Sequence, residues 1–300
     1  MSRPDATDSR AMGAREAGPD APPDAPPGET IPLRLVGVGP QRTGSTWLDR
    51  QLRRHPALAL PTHVKETFFF DRHHARGLAD YRAHFASAVG AWAEVAPTYF
   101  DDPDVPARIA RVAPGVRAVI PLRDPVARAI SLWQHHLRKG RVPPDFWAAS
   151  EILPRILTAG DYATHLARWT DVLGEDRVLV LLLKDIHRDP QGAMDAITTF
   201  AGIGPIGVPP EEHAPVNTAS APRFPRVAAL GARAVTRLRD ARLHRVVEAG
   251  KALGLAGVYR GGGPPPGLSD ADRRRLAERY APHIEAVERR LGRPTGWSRR

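Results

Sequence analysis

The amino-acid sequence predicts an α/β fold in three layers, with a central parallel sheet flanked by helices. From Leu33 onward, short apolar runs alternate with amphipathic stretches of helical period. Such alternation is typical of parallel strands joined by right-handed helical crossovers. The chain of 300 residues is also long enough to bury one substantial core. Ligands of such sheets bind at the carboxyl ends of the strands, so those ends are where a site is expected.

The elements follow from apolar runs and from the residues that bound them. The first strand covers 33–38, and the helix at 45–54 ends before Pro56, which cannot continue it. Ser269 is a typical N-cap for the last helix. Between these, we predict strands at 58–60, 93–96, 116–122 and 177–183, and helices at 104–112, 125–138, 161–173, 190–201 and 270–291.

The two ends of the chain differ in composition from its centre. Residues 1–30 repeat Pro, Asp and Ala without a periodic apolar face, which predicts a disordered tail. We expect residues 31–300 to form one domain, with the core at 33–202 and with lid or acceptor loops and C-terminal helices at 203–300. In this last part, 202–225 is rich in Pro and Gly, and 226–251 is helical and strongly basic.

Composition narrows the classes of function. The chain has 43 Lys and Arg against 33 Asp and Glu, a net charge of +10 that favours acidic ligands, nucleic acid or anionic membranes, with a solvated Arg-rich surface as the alternative. It has no Cys, which excludes disulfides and thiolate metal sites. No signal-peptide pattern and no apolar run of about 20 residues occurs, so we expect a cytoplasmic protein.

A Gly-rich turn follows the first strand. Gly39 and Gly44 stand five apart and are followed by Ser45 and Thr46, close to the phosphate-loop frame G-x-x-x-x-G-K-[ST]. Ser45 stands where that frame has its lysine, and the cation inside the turn is Arg42. A guanidinium forms charge-assisted bonds to phosphate oxygens, and N–H groups at the helix start add further donors. The turn therefore predicts an anion site other than that of an ordinary nucleoside triphosphatase.

A second motif lies at the end of the strand at 116–122. Arg123 ends this strand, and Ser131 follows eight residues later on the next helix, which Asp124 caps. This pair resembles the 3′-phosphate motif of sulfotransferases that use 3′-phosphoadenosine 5′-phosphosulfate (PAPS), and Arg42-Thr43-Gly44-Ser45-Thr46 resembles their 5′-phosphosulfate loop. The likeness covers about residues 33–202. It implies a P-loop NTPase-like fold with PAPS as the sulfuryl donor and no metal.

The resemblance implies a role for each matched residue. Arg42 neutralises the leaving phosphate. Trp47 stands where the cytosolic branch of the family has an aromatic ring that stacks on adenine, with a core position as the alternative. Arg260 matches weakly a basic-Gly loop that closes over the 3′-phosphate in some relatives. The implied donor-binding residues are Arg42, Thr43, Gly44, Ser45, Thr46, Trp47, Arg123, Ser131 and Arg260.

The run Lys65-Glu-Thr-Phe-Phe-Phe-Asp71 resembles the carbohydrate (heparan-type) or natural-product branch, in which a glutamate is the general base. Glu66 is therefore the candidate base, although an ordinary carboxyl pKa of about 4.3 must be raised, or its geometry made nearly ideal, for efficient catalysis at neutral pH. His63 is the rival base. Lys65 is predicted to contact the sulfuryl group or Glu66. The implied catalytic set is Glu66, Arg42 and Lys65.

Two further groups of residues are assigned to packing and to the surface. One helical face with spacing i, i+4 and i+7 is predicted to pack into the core, and it consists of Tyr162, Leu166 and Trp169. The other group lies on the helix at 125–138 and is expected on the surface or in a groove, and it consists of Arg128, His135 and His136.

We expect a sulfotransferase that moves the sulfuryl group of PAPS to a hydroxyl or amine of a carbohydrate, glycolipid or secondary metabolite. A nucleotide kinase is the first alternative, disfavoured because Ser45 replaces the lysine and no acidic residue for Mg²⁺ is evident. A non-catalytic anion or nucleic-acid binder is the second alternative. Such a binder is expected to stack bases on aromatic side chains, and aromatics make up only 6% of this chain. We expect a nucleotide donor and a small-molecule or glycan acceptor as partners, no nucleic acid, and peripheral contact of 226–251 with an anionic membrane, a solvated helix being the alternative.

Overall fold

Five parallel strands form the central sheet of the computed structural model, which describes residues 29–85, 90–213, 221–222, 260–262 and 266–297. The strand order is β2-β3-β1-β4-β5, and every neighbouring pair is parallel. The predicted α/β fold with a central parallel sheet is confirmed. The strands are β1 Leu33–Gly37, β2 Leu58–Ala59, β3 Ala91–Val95, β4 Arg117–Leu122 and β5 Val178–Leu182.

Helices lie on both faces of the sheet. One face packs against α3, α7 and α10, and the other packs against α1, α8 and α9. A π-helical turn, Phe69–His73, lies in the segment between β2 and α2. The helices are α1 Ser45–Arg54, α2 Leu78–Arg82, α3 Val105–Val112, α4 Pro125–Arg138, α5 Phe146–Ile152, α6 Arg155–Thr158, α7 Tyr162–Leu173, α8 Leu183–Arg188, α9 Pro190–Ala201 and α10 Asp270–Leu291.

Caps and prolines set the helix boundaries where the sequence predicted them. Asp124 accepts a hydrogen bond from the Ala127 N–H at 2.8 Å and so caps α4. Ser269 does the same for α10, accepting from the Asp272 N–H at 3.1 Å. The strand predicted to reach Leu183 instead ends at Leu182, and Leu183 begins α8. The helices α5 and α6 were not predicted, because they are too short for their apolar residues to show a helical period.

The predicted core face of α7 is confirmed, because Tyr162, Leu166 and Trp169 are all buried. The assignment of Arg128 to the surface or a groove was wrong. Arg128 is fully buried, and its Nη2 donates to the Ile156 carbonyl oxygen at 2.6 Å. The reason is that α5, α6 and α10 pack on this face of α4 and form a separate apolar cluster with it. Two of those helices were not predicted, so the covering of Arg128 was not evident either.

Several predictions fall outside the described residues. They concern the tail, of which only 29–30 are described, the basic helix at 226–251 and parts of the loops that flank it, including 214–220, 223–225 and 263–265. Residues 221–222 and 260–262 pair as a short antiparallel ladder. In the described part of the chain, no helix is both long enough and apolar enough to cross a bilayer.

Candidate active site

The turn between β1 and α1 has a backbone shape that few residue types allow. A Cβ atom on Gly39 would lie 2.3 Å from the Pro121 carbonyl oxygen of β4, so a larger residue would push the two strands apart. Gly44 precedes α1 with a φ of 101°, a conformation that glycine adopts without steric cost. Thr43 is fully buried, and its Oγ1 donates to the Pro40 carbonyl oxygen at 2.6 Å. These contacts fix the turn before any ligand binds.

Arg42 joins the two predicted motifs. Its φ of 79° is unusual for a residue with a side chain, and it is held by the closed turn around it. Its Nε donates to Ser131 Oγ on α4 at 3.0 Å. Arg123 lies between β4 and α4, where the Tyr162 hydroxyl donates to its carbonyl oxygen at 2.8 Å. The core residue Tyr162 therefore also fixes the backbone of the second motif.

A cavity of about 710 Å³ lies between the start of α1 and the first two turns of α4. The first N–H groups of α1 have no partner within the helix and add partial positive charge at this end. Trp47 is 7% exposed, as its core alternative predicts, and it also lines the cavity, whereas its stacking on adenine stays a prediction. The predicted donor-binding residues that line the cavity are Arg42, Gly44, Ser45, Thr46, Trp47, Arg123 and Ser131.

Two predicted donor-binding residues, Thr43 and Arg260, are not among the described side chains that line the cavity. The Thr43 side chain does not line the cavity, because it is buried under the turn and bonded to Pro40. Arg260 lies in the short ladder with residues 221–222, and its side chain is outside the described part of the structure. Its predicted contact with the 3′-phosphate stays a prediction.

The sequence did not indicate several residues that line the cavity. Lys184 and His187 follow β5, and the same rule that placed Arg42 and Arg123 at strand ends would have found them. Trp297, near the end of the chain, also lines the cavity, and its ring lies 5.9 Å from that of Tyr162. Nothing local in the sequence signals this contact, because α10 brings the residue there.

The cavity concentrates positive charge. Burial, and then the neighbouring cations Arg138 and Arg123, lower the pKa of Arg42. Burial also lowers the pKa of Arg123. Among the described residues, neither guanidinium forms an ion pair. Two carboxylates line the cavity: Glu212 pairs with Arg50 at 3.3 Å, and Asp124, which partly opposes the lowered pKa of Arg123, accepts from the Ala127 N–H. An anionic ligand in the cavity would therefore relieve the repulsion between these cations.

Lys65 connects the candidate base to the turn after β1 and the start of α1, residues 39–46 together, which we call the phosphate turn. Its Nζ lies 3.0 Å from Ser45 Oγ, to which it donates, and 3.4 Å from Glu66 Oε1. Burial raises the pKa of Glu66, and the neighbouring Lys65 opposes that shift. The rival base His63 is exposed and has no hydrogen bond within the described chain that would orient it. The geometry thus brings Lys65 into contact with the turn, and Glu66 into contact with Lys65. The residues that line the cavity include neither of them, and His63 makes no such contact within the described chain.

No group of three or more His, Asp or Glu side chains in the described ranges is arranged to hold a metal ion. The two histidines of α4 also carry no charge at neutral pH. Burial lowers the pKa of His135 to about 2 and that of His136 to about 4, and nearby Arg and Lys side chains add to both shifts. They lie beside Arg42 as neutral rings.

Comparison with known proteins gives consistent results. The sequence model of the sulfotransferase domain matches residues 34–214. The bifunctional heparan sulfate N-deacetylase/N-sulfotransferase 2 of Homo sapiens is 30% identical over 201 residues, a match that covers 59% of this chain and 23% of that protein. The N-deacetylase/N-sulfotransferase 1 of Caenorhabditis elegans is 26% identical over 190 residues, covering 57% of this chain and 22% of that protein. This chain spans less than a quarter of the length of these relatives.

Among solved structures, a sulfotransferase from Alicyclobacillus acidocaldarius superposes with a TM-score of 0.64 at 21% sequence identity, over 89% of this chain and 99% of that one. That similarity supports the fold. The family match extends over more than half of the sequence and includes both predicted phosphate motifs. This chain therefore belongs to the sulfotransferase family, whose members use PAPS as the sulfuryl donor.

Proposed function

We propose that this protein transfers the sulfuryl group of PAPS to a hydroxyl or amine group of a carbohydrate, glycolipid or secondary metabolite. The observation that carries the proposal is the pair Arg42 and Arg123, two guanidinium groups from separate motifs in one cavity, neither of which forms an ion pair within the described residues. PAPS is anionic at two places, its 5′-phosphosulfate and its 3′-phosphate. Two separated cations therefore match it better than they match a ligand with a single phosphate.

The residues of the cavity fit the two ends of this donor. The turn from Arg42 to Thr46, with the free N–H groups of α1, suits the 5′-phosphosulfate. Arg123 and Ser131 suit the 3′-phosphate. The Ser131 hydroxyl accepts from Arg42, and its own proton remains available for a phosphate oxygen. A cavity of about 710 Å³ is in the range of small-molecule sites.

The chain supplies the acid–base and charge functions that sulfuryl transfer needs. PAPS provides a sulfuryl group that is already activated by its bond to phosphate. Glu66 takes the proton of the acceptor hydroxyl as the new S–O bond forms and the bond from sulfur to the phosphate oxygen breaks. Arg42 and Lys65 stabilise the negative charge that this leaves on the phosphate, because both lie at the turn. The Glu66 carboxyl must be ionised to accept a proton. Because its pKa is raised, the ionised carboxylate is a stronger base than an ordinary one.

The class of acceptor rests on the relatives. Those reported above are named as heparan sulfate N-sulfotransferases, so an amine on a carbohydrate is the first acceptor to test, followed by carbohydrate hydroxyls. Each acceptor is offered with PAPS, and the adenosine 3′,5′-bisphosphate released is measured.

The donor is tested first by binding, which requires no acceptor. Adenosine 3′,5′-bisphosphate should raise the melting temperature in EDTA, and AMP should do so much less because it leaves Arg123 without its anion. Each charged hydrogen bond that AMP lacks is worth about 1.5–3 kcal/mol. Equal effects of AMP and the bisphosphate would contradict the 3′-phosphate assignment. Stabilisation by ATP that requires Mg²⁺ would indicate a phosphotransferase instead.

A further inference from the structure

A carboxylate that the proposed reaction does not use lies beneath the segment with Lys65 and Glu66. Glu94, on β3, is fully buried. Its Oε1 accepts from the Thr67 N–H at 2.8 Å and from Thr67 Oγ1 at 2.7 Å. Its Oε2 accepts from the hydroxyls of Tyr81 at 3.1 Å and Tyr99 at 3.3 Å. No Lys, Arg or His forms an ion pair with it in the part of the chain that the structure describes.

These bonds hold the backbone that carries the candidate base. Thr67 directly follows Glu66, and both its N–H and its hydroxyl are bonded to Glu94. The Thr67 hydroxyl also accepts from the Phe69 N–H at 3.2 Å, and the Tyr99 hydroxyl accepts from the Phe70 N–H at 3.3 Å. One carboxylate therefore restrains three backbone positions within four residues of Glu66.

The restrained segment has an unusual backbone shape. Phe68 has a φ of 54°, in the left-handed region that residues with side chains seldom adopt, and the π-helical turn begins directly after it. Such a conformation persists only where surrounding contacts impose it. The bonds on Thr67, before Phe68, and on Phe69 and Phe70, after it, are such contacts.

We propose that Glu94 is a positioning residue for Glu66, acting through Thr67 to hold the Glu66 carboxyl at the edge of the phosphate turn. This inference rests on the proposed function, in which Glu66 is the general base. Burial raises the pKa of Glu94 to about 7, so in part of the molecules at neutral pH one of its oxygens carries a proton. In that form, Oε1 still accepts from Thr67, and a tyrosine hydroxyl turns to accept the proton on Oε2.

The main test is Thr67→Val, which removes the hydroxyl contact with little change of volume. Thr98→Val is the matched control, because the Thr98 hydroxyl is also buried, on a neighbouring turn, and has no hydrogen-bond partner among the described residues. We expect Thr67→Val to lower kcat by about 10- to 100-fold, the scale of an ångström-level misplacement of a catalytic group. Its Kd for adenosine 3′,5′-bisphosphate should stay within about two-fold, and Thr98→Val should alter neither quantity.

A second readout does not depend on activity. The titration of Glu66 is followed by NMR of ¹³C-labelled carboxyl groups, with Glu66→Gln used to assign its signal. Release of the segment should move the pKa of Glu66 back toward the ordinary value in Thr67→Val and leave it unchanged in Thr98→Val. A residue that only adds stability would lower the melting temperature without moving this titration. Glu94→Gln serves as a second variant of the same contact.

The outcomes separate the two proposals. A wild-type protein that neither binds the bisphosphate nor transfers sulfate, but whose Glu66 titration moves in Thr67→Val, would overturn the proposed function and support the positioning role. An unmoved Glu66 titration, or an unchanged kcat in folded Thr67→Val of an active enzyme, would overturn the positioning role. In an active enzyme, the double variant Glu66→Gln with Thr67→Val should be no slower than Glu66→Gln alone.

Discussion

Arg42 and Ser131 are hydrogen bonded, with 3.0 Å between Nε and Oγ, although 89 residues separate them in the chain. One belongs to the turn after β1, and the other belongs to the helix after β4. Because those two strands are neighbours in the sheet, their carboxyl ends place both residues in one cavity. The bond makes the two predicted phosphate motifs parts of a single site.

Ser131→Ala should weaken binding of adenosine 3′,5′-bisphosphate and leave AMP binding nearly unchanged. The variant removes the partner of Arg42 and a donor for the 3′-phosphate, and one charged hydrogen bond is worth about 1.5–3 kcal/mol, roughly 10- to 150-fold in Kd. Isothermal titration calorimetry measures both ligands. Ser150→Ala is the control, since its hydroxyl bonds only within α5. A loss of the same size for both nucleotides would place Ser131 away from the 3′-phosphate.

Arg123→Ala should abolish the preference for the bisphosphate over AMP. Arg123 has no ion pair within the described residues and lines the cavity, so its charge is available to the ligand. We expect the two Kd values to converge within about three-fold, because the 3′-phosphate then loses its charged partner. Arg188→Ala, an exposed residue of α8 paired with Asp185, is the control. A preference that survived in Arg123→Ala would transfer the 3′-phosphate to another cation, such as Lys184.

Glu66→Gln should lower the rate of sulfuryl transfer by about 10²- to 10⁴-fold, the contribution of a general base. Binding of the bisphosphate should hardly change, because the Gln side chain has the same shape. In the wild type, the rate should rise with pH through a pKa above the ordinary carboxyl value, because burial raises the pKa of Glu66. Glu151→Gln, at an exposed residue of α5, is the control. An active Glu66→Gln together with an inactive His63→Ala would assign the base role to His63.

Gly39→Ala should destabilise the fold, because its Cβ would lie 2.3 Å from the Pro121 carbonyl oxygen. Backbone atoms of two adjacent strands must then move apart, and we expect a loss of roughly 2–4 kcal/mol in the free energy of unfolding. Gly115→Ala is the control, since nothing lies within 4 Å of the Cβ it would add. Urea denaturation measures both. Similar stabilities would mean that the turn can relax without cost.

Glu94 should make the protein less stable as the pH rises from about 4.5 to about 7. Its pKa is about 7 in the folded state, where burial raises it, against 4.5 ordinarily, so the folded state binds more protons between these values. The contribution of this group to the free energy of unfolding is fully present below pH 4.5. It is lost as the pH approaches 7, by at most about 3 kcal/mol.

The groups that face Glu94 are the hydroxyls of Tyr81 and Tyr99, whose pKa values burial raises well above the ordinary value, so neither ionises in this window. Unfolding free energies at pH 5, 6, 7 and 8 should therefore fall more steeply in the wild type than in Glu94→Gln, which carries no proton to lose. Parallel curves for the two proteins would show that Glu94 keeps its charge throughout.

Features that depend on neighbouring residues in the sequence could be predicted. The period of the apolar residues indicated the sheet and most of the helices, and the caps Asp124 and Ser269 marked two helix starts correctly because a cap bonds within one turn. The Gly-rich turn and the Arg123–Ser131 pair indicated two anion sites, because the residues of each motif also lie close together in the sequence. The family followed from these two motifs and their order.

Only the tertiary structure decided which of these parts meet. The contacts of Lys65 with Ser45, of Glu94 with Thr67 and of Trp297 with the cavity join residues far apart in the chain, so no local pattern encodes them. The burial of Arg128 depends on helices that have too few residues to produce a period. By itself, the sequence determined the segments that are predicted to bind phosphate, because those are local arrangements of backbone and glycine. Packing determined the surroundings of the acid–base residues, because burial and charge depend on all the elements that surround a side chain.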